Sequence, residues 1–319
     1  MTETLQSSHQ SESSPWDDLG TIPQQLEPQA QPTFSPEKYT GCIDKLRQMN
    51  IKDLTPDDLD FIKSLSKELL ADHFSNKYTT PRLQILSQSI TFFKSEDFST
   101  AVQSARKEGL DYKPETANDI VTGLYSPDYM NNDGKPKVFV NITPSEACKT
   151  AEDVFATTLH ESLHFLSNEK LDSQYITDTK YSAFTDHDAI EEGITEFLAQ
   201  KALSSIGGTV DRKGYSEDVN FINQISECVG YETIKTAYLP PDGRRFGSRT
   251  IAKKFDSLFS PTENSKAQGK SMFKTLYANY ELANLANAGV FGTSDNARNL
   301  YETAELNMSN IFFAALKRA

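Results

Sequence analysis

The stretch TLHESLHFLSNEK, residues 158–170, places His160 and His164 four apart with Glu161 between them. Residues four apart on a helix lie one turn above each other on the same face, so the two imidazoles converge on one point. That is the bite needed by two of the four tetrahedral positions of zinc. Glu161 lies about 100° round the helix from His160, beside such a metal rather than on it. A carboxylate there can take a proton from water that a metal ion has acidified. The plainer account is two ordinary histidines on an ordinary helix. The whole chain holds only five, His9, His73, His160, His164 and His187, so an accidental pair in this frame is improbable.

A catalytic zinc site takes three protein ligands and leaves one position open. A third histidine is not supplied locally: where an extended HExxHxxGxxH motif would continue, the chain has Ser167 and Lys170. Downstream stands DAIEEGITEFLAQKAL, residues 188–203, with Glu192 and Glu196 four apart. On an antiparallel neighbouring helix Glu192 can reach the metal. Glu196, one turn on, can accept a ring N–H of a ligating histidine and fix its tautomer. Taken alone, a Glu-x-x-x-Glu pair is usually a solvated helix face; its place downstream of HExxH reverses that reading. Glu191 is the rival ligand, about 100° from Glu192, with Thr195 as its partner one turn on.

These side chains need rigid elements to hold them. Phe155, Leu159 and Leu166 give the histidine segment an apolar stripe, which predicts a buried, stiff helix. Before it, Val138, Val140 and Ile142 alternate with Phe139 and Asn141 as in a strand, after an Asn-Asp-Gly turn. Thr143-Pro144-Ser145-Glu146 carries an N-cap signal and predicts the start of the helix there. Further helices are expected at about Pro56 to Phe74, capped by Thr55 with Pro56 at its first position, and at about Ser99 to Glu108. Four more are expected: Ala189 to Ser204 ended by Gly207 and Gly208, Asp218 to Cys228 ended by Gly230, Ser271 to Ala288, and Ala297 to Leu316. Leu59, Ile62, Leu65 and Leu69 should pack, as should Phe273, Leu276, Tyr280, Leu300, Ala304 and Ile311. Residues 82–94 are apolar without a clean period and receive no assignment. The expected fold class is α+β and predominantly helical.

The 319 residues carry a formal net charge of −13. That balance argues against nucleic acid and anionic membranes as partners. Cys42, Cys148 and Cys228 are far apart, odd in number and outside any CxxC frame, so neither a cysteine zinc site nor a disulfide framework is expected. No apolar run of about 18 residues exists, so membrane insertion is not expected. Residues 1–36, rich in Ser, Gln, Glu and Pro, are expected to be disordered. They lack the basic start and apolar run of a Sec signal, which predicts synthesis in the cytoplasm. They read either as a solubilising tail or as a signal for a secretion or injection apparatus.

HESLH followed by EEGITE resembles the gluzincins, the thermolysin-like branch of the zinc metallopeptidases. The resemblance implies a zincin-like catalytic domain over residues 116–319, with a small sheet above the motif helix and a helical lower part. It implies His160, His164 and Glu192 as Zn2+ ligands, Glu161 as general base and Glu196 as orienter of a histidine. It also implies that the strand near residues 137–142 is the sheet edge along which a peptide substrate binds. Over roughly residues 120–240, the EGxTE form and the following GYSEDVNFINQISECVGYETIKTAY are similar to small HExxH domains of bacterial secreted or injected toxins. Residues 37–115 would then form a helical N-terminal region.

Two departures stand out. Thermolysin-type enzymes have Asn before the third ligand, where this chain has Glu191. They also use a later histidine to steady the oxyanion, and no histidine follows His187. Tyr215 is the first choice for that role, with Tyr238, Tyr181 and His187 as rivals. The expected function is hydrolysis of a protein or peptide bond by a zinc-activated water, in an effector or toxin protease. The alternative is a non-catalytic binding protein that keeps zinc for stability. A structural zinc is closed by four protein ligands and has no need of the motif glutamate.

Overall fold

The computed structural model describes residues 34–107, 122–146, 148–167, 188–209, 215–241, 247–259, 271–287, 290 and 295–319. Its helices are α1 (Cys42–Gln48), α2 (Pro56–Phe74), α3 (Thr79–Ser89), α4 (Ser95–Ala105), α5 (Ala151–Leu166), α6 (Asp188–Ser205), α7 (Ser216–Val229), α8 (Tyr231–Tyr238), α9 (Gly247–Phe259), α10 (Met272–Asn287) and α11 (Asp295–Leu316). Its strands are β1 (Ile90–Phe93), β2 (Gly123–Ser126) and β3 (Lys137–Asn141). The fold is predominantly helical with one small mixed sheet, in the α+β class. The segment 1–33, Tyr181 and His187 lie outside the described residues. Phe34 packs its ring on His73, with centroids 4.3 Å apart, so the described chain is anchored from its first residue.

The sheet order is β1-β3-β2, with β1 parallel and β2 antiparallel to β3. β3 is therefore the central strand, which corrects the expectation that it forms the sheet edge. The missing partners were hard to read: β1 lies in the unassigned apolar stretch, and β2 is the four-residue segment GLYS. The alternation of β3 holds. Val138 and Val140 belong to the main core on the α5 side, while Phe139 packs with Phe98 and Val102 of α4 on the other face. One cluster of buried side chains runs from Tyr39 through α5 and α6 to Ala315.

The helix expected from Thr143 does not start there. Ser145 instead makes a local turn with Cys148, its backbone and hydroxyl both bonded to that residue. The helix begins at Ala151, with Thr150 and Asp153 forming a reciprocal capping box. Both threonines carry a cap signal, but only the second is followed at once by a face that can be buried. α2 starts as read, with Thr55 as its cap and Pro56 at its first position, and Asp58 completes a capping box with Thr55. Leu300 is not packing surface: it is 38% exposed, whereas Ala304 and Ile311 are buried.

α5 is buried along nearly its whole length. Its first turn is tied down through Glu152, which accepts from Arg47 Nε at 2.8 Å and from the backbone N–H of Thr209 at 2.8 Å. Its last turn is held by Arg82 of α3, whose Nη1 donates to the carbonyls of Phe165 at 3.0 Å and Ser167 at 2.5 Å. An acid at the start and a guanidinium at the end both complement the helix dipole. The helix is thus clamped at both ends.

Candidate metal centre

His160 and His164 project from α5 toward α6, and the contacts run in opposite senses along the two chains. His160 meets Glu196 and Glu192, while His164, one turn later, meets Glu192 and Glu191. The helices are therefore antiparallel, as Glu192 requires. Three donor atoms converge. His160 Nε2 and His164 Nε2 are 3.2 Å apart. Glu192 Oε2 is 3.0 Å from the first and Glu192 Oε1 is 3.2 Å from the second. A tetrahedral ion with bonds of about 2.0–2.1 Å separates its ligands by about 3.3 Å. The residues fit a metal ion: two neutral-capable nitrogens and one carboxylate already stand at ligand spacing. No other trio of His, Cys, Asp or Glu gathers in this way among the described residues.

The opposite ring nitrogens point away from that focus. His160 Nδ1 is 2.8 Å from Glu196 Oε2, and Glu196 Oε1 in turn accepts from Gln200 Nε2 at 3.0 Å. His164 Nδ1 faces two oxygens, Tyr238 Oη at 3.4 Å and Glu191 Oε1 at 3.6 Å. Glu191, the rival ligand, thus sits behind His164 rather than at the focus. Burial works against a charged His164, but Tyr238 and the Glu191 and Glu192 carboxylates outweigh it and hold its pKa well above the usual value. Burial likewise opposes a charged Glu192, yet hydrogen bonds from His160 and His164 hold it far below the ordinary carboxylate range.

Tyr215 precedes α7 and lays its ring beside His160, centroids 5.1 Å apart and planes 33° from parallel. Gly193, in the EEGITE segment, makes this possible. A Cβ there would come within 3.0 Å of Asp218 Cβ and 3.2 Å of Ile222 Cγ1, so a larger residue would push α7 away from α6 by a few tenths of an ångström. Tyr238 ends α8 behind His164, buried among Thr195 and the motif helix, with burial pushing its pKa up to about 12. That position removes Tyr238 as a rival for the oxyanion role. Glu161 is 7% exposed and faces β2.

Two features were missed in the sequence. The role of Tyr238 had no local signal, since it lies 43 residues from Thr195 and 74 from His164. Gly123 was one glycine among fifteen. Comparisons with protein-family models, with curated proteins and with solved structures find no match to the chain.

Proposed function

We propose that the chain is a zinc-dependent endopeptidase of the gluzincin type. The observation that carries this reading is the triangle of His160 Nε2, His164 Nε2 and Glu192 at ligand spacing, with both Nδ1 atoms facing oxygens. A bound Zn2+ would supply Lewis acidity toward a carbonyl and lower the pKa of a water.

The protein's own residues do the rest. His160, His164 and Glu192 hold the ion, and Glu196 keeps His160 in the tautomer whose Nε2 lone pair is free. Glu161, next to His160 on the same stiff helix, takes the proton of the attacking water. As the C–N bond breaks, it returns that proton to the leaving amine. Tyr215, beside His160, is the proposed donor to the oxyanion. An extended peptide would lie along β2, which bonds to a neighbour on one side only among the described strands and which runs against Glu161. No described helix is long and apolar enough to cross a membrane. Delivery into a target cell through residues 1–36 rests on the sequence and on the likeness to toxin domains.

The test compares new protein N-termini in a target-cell lysate after adding zinc-loaded wild type or Glu161→Gln. New termini with the wild type alone are expected, and they would name the substrate and its cleavage sequence together. Equal turnover by Glu161→Gln would sink the assignment of the base. No new termini in any lysate, with zinc bound, would favour the non-catalytic zinc protein.

A further inference from the structure

We infer that Tyr238 and Thr195 form a hydroxyl relay that fixes the tautomer of His164. The inference rests on the metal-site reading above and deepens it. It follows from counting hydrogens. Thr195 Oγ1 donates to the backbone carbonyl of Glu191 at 2.7 Å. A carbonyl oxygen only accepts, and a hydroxyl has one hydrogen, so the hydrogen of Thr195 is committed. Thr195 Oγ1 is also 2.5 Å from Tyr238 Oη. That contact therefore has Tyr238 as donor and Thr195 as acceptor. The Ser167 hydroxyl also bonds the phenol and gives its own hydrogen to the His164 carbonyl at 2.9 Å, so it too can only accept. The single hydrogen of the phenol is committed to these two hydroxyls, with Thr195 the acceptor at 2.5 Å.

What remains on Tyr238 Oη is acceptor capacity, and it faces His164 Nδ1 at 3.4 Å. The other group near that nitrogen is Glu191 Oε1 at 3.6 Å, and an ionised carboxylate also only accepts. Both neighbours therefore call for a hydrogen on Nδ1, shared between them. A neutral His164 with its hydrogen on Nδ1 has a bare Nε2, the atom that faces His160 and Glu192.

The two histidines are thus set by different chemistry. His160 leans on the carboxylate of Glu196. His164 leans on a phenol whose own hydrogen is exported through Thr195 to the main chain of α6. The relay joins α8 to the helix carrying Glu192, so it holds ligand and orienter in one frame. Tyr238 is a positioning residue: it touches a ligand, not the reacting atoms.

The experiment measures Zn2+ affinity by chelator competition in the full chain, for Tyr238→Phe, the isosteric Thr195→Val and the double variant. The zinc-loaded proteins are also read by 1H–15N spectra of the histidine rings, in which the shift of the His164 Nδ1–H reports the acceptor which that hydrogen meets. We expect about 10–100-fold weaker binding in Tyr238→Phe. Thr195→Val should also weaken binding, and the double variant should be no weaker than Tyr238→Phe. The Nδ1–H signature of His164 should be present in the wild type and altered in both single variants. Unchanged affinities, or effects that multiply in the double variant, would overturn the relay and leave the metal centre standing. A wild type that binds no Zn2+ would overturn both. Should Tyr238→Phe fail to fold, Thr195→Val alone decides by the same two readouts.

Discussion

Gly123 and Glu161 are packed so closely that any side chain at position 123 would have to displace Glu161. A Cβ there would lie 2.6 Å from Glu161 Cγ, 2.7 Å from Glu161 Oε1 and 2.7 Å from Thr157 Cγ2. The missing side chain is what lets β2 lie against the motif helix at the level of the proposed base.

Gly123→Ala should therefore act on Glu161 before anything else. The crowded atoms belong to the side chains of Glu161 and Thr157, not to backbone, so the strain falls on those two rotamers. The displaced carboxylate should lower peptide turnover on the order of a hundredfold, the lower range for loss of a general base. Zinc affinity should stay at the wild-type value, because the three ligands are untouched. Turnover equal to wild type, or loss of zinc in parallel with activity, would refute this account of Gly123.

Ser162 is in the motif but turns away from the metal, about 200° round the helix from His160. Its Oγ is buried without a hydrogen-bond partner. A buried unpaired hydroxyl costs about 1–3 kcal/mol, and alanine is the better helix former. Ser162→Ala should raise unfolding stability by roughly 1 kcal/mol without altering zinc affinity. Urea midpoints of the two proteins check this, and a destabilised alanine variant would contradict it.

His73 offers a pH dependence separate from the metal site. Its Nε2 is 2.8 Å from Ser205 Oγ and its ring packs on Phe34. Burial lowers its pKa below the usual 6.5, with Asp72 opposing and Lys235 adding to the shift. The unfolded chain then binds more protons between the two values. The contribution is full above about 6.5 and is lost as the pH falls through the folded-state value. The zinc-loaded wild type should thus lose more stability between pH 7.5 and 5.5 than His73→Gln. Parallel pH curves for the two proteins would contradict this.

The sequence by itself determined the donors. The spacing of His160, His164, Glu192 and Glu196 is set by a period of about 3.6 residues per turn, and so is the placing of Glu161. Caps such as Thr55 with Asp58 and the alternation of Val138, Phe139 and Val140 are equally local, because they arise from contacts within a few residues. Local signals also misled. Thr143 has the chemistry of an N-cap, but a cap starts a helix only where a buriable face follows, and that face follows Thr150.

Only the tertiary structure decided who stands beside whom. β3 reads as a strand from its own residues, yet its central place depends on β1 and β2, drawn from stretches too short or too uniformly apolar to announce themselves. Tyr238 behind His164, Arg82 at the end of α5 and Gly123 against Glu161 are pairings across 74, 83 and 38 positions of chain. No periodicity reaches that far. Such neighbours are chosen by which faces must leave water together and which buried polar atoms must find partners, and that choice is made by the whole fold at once.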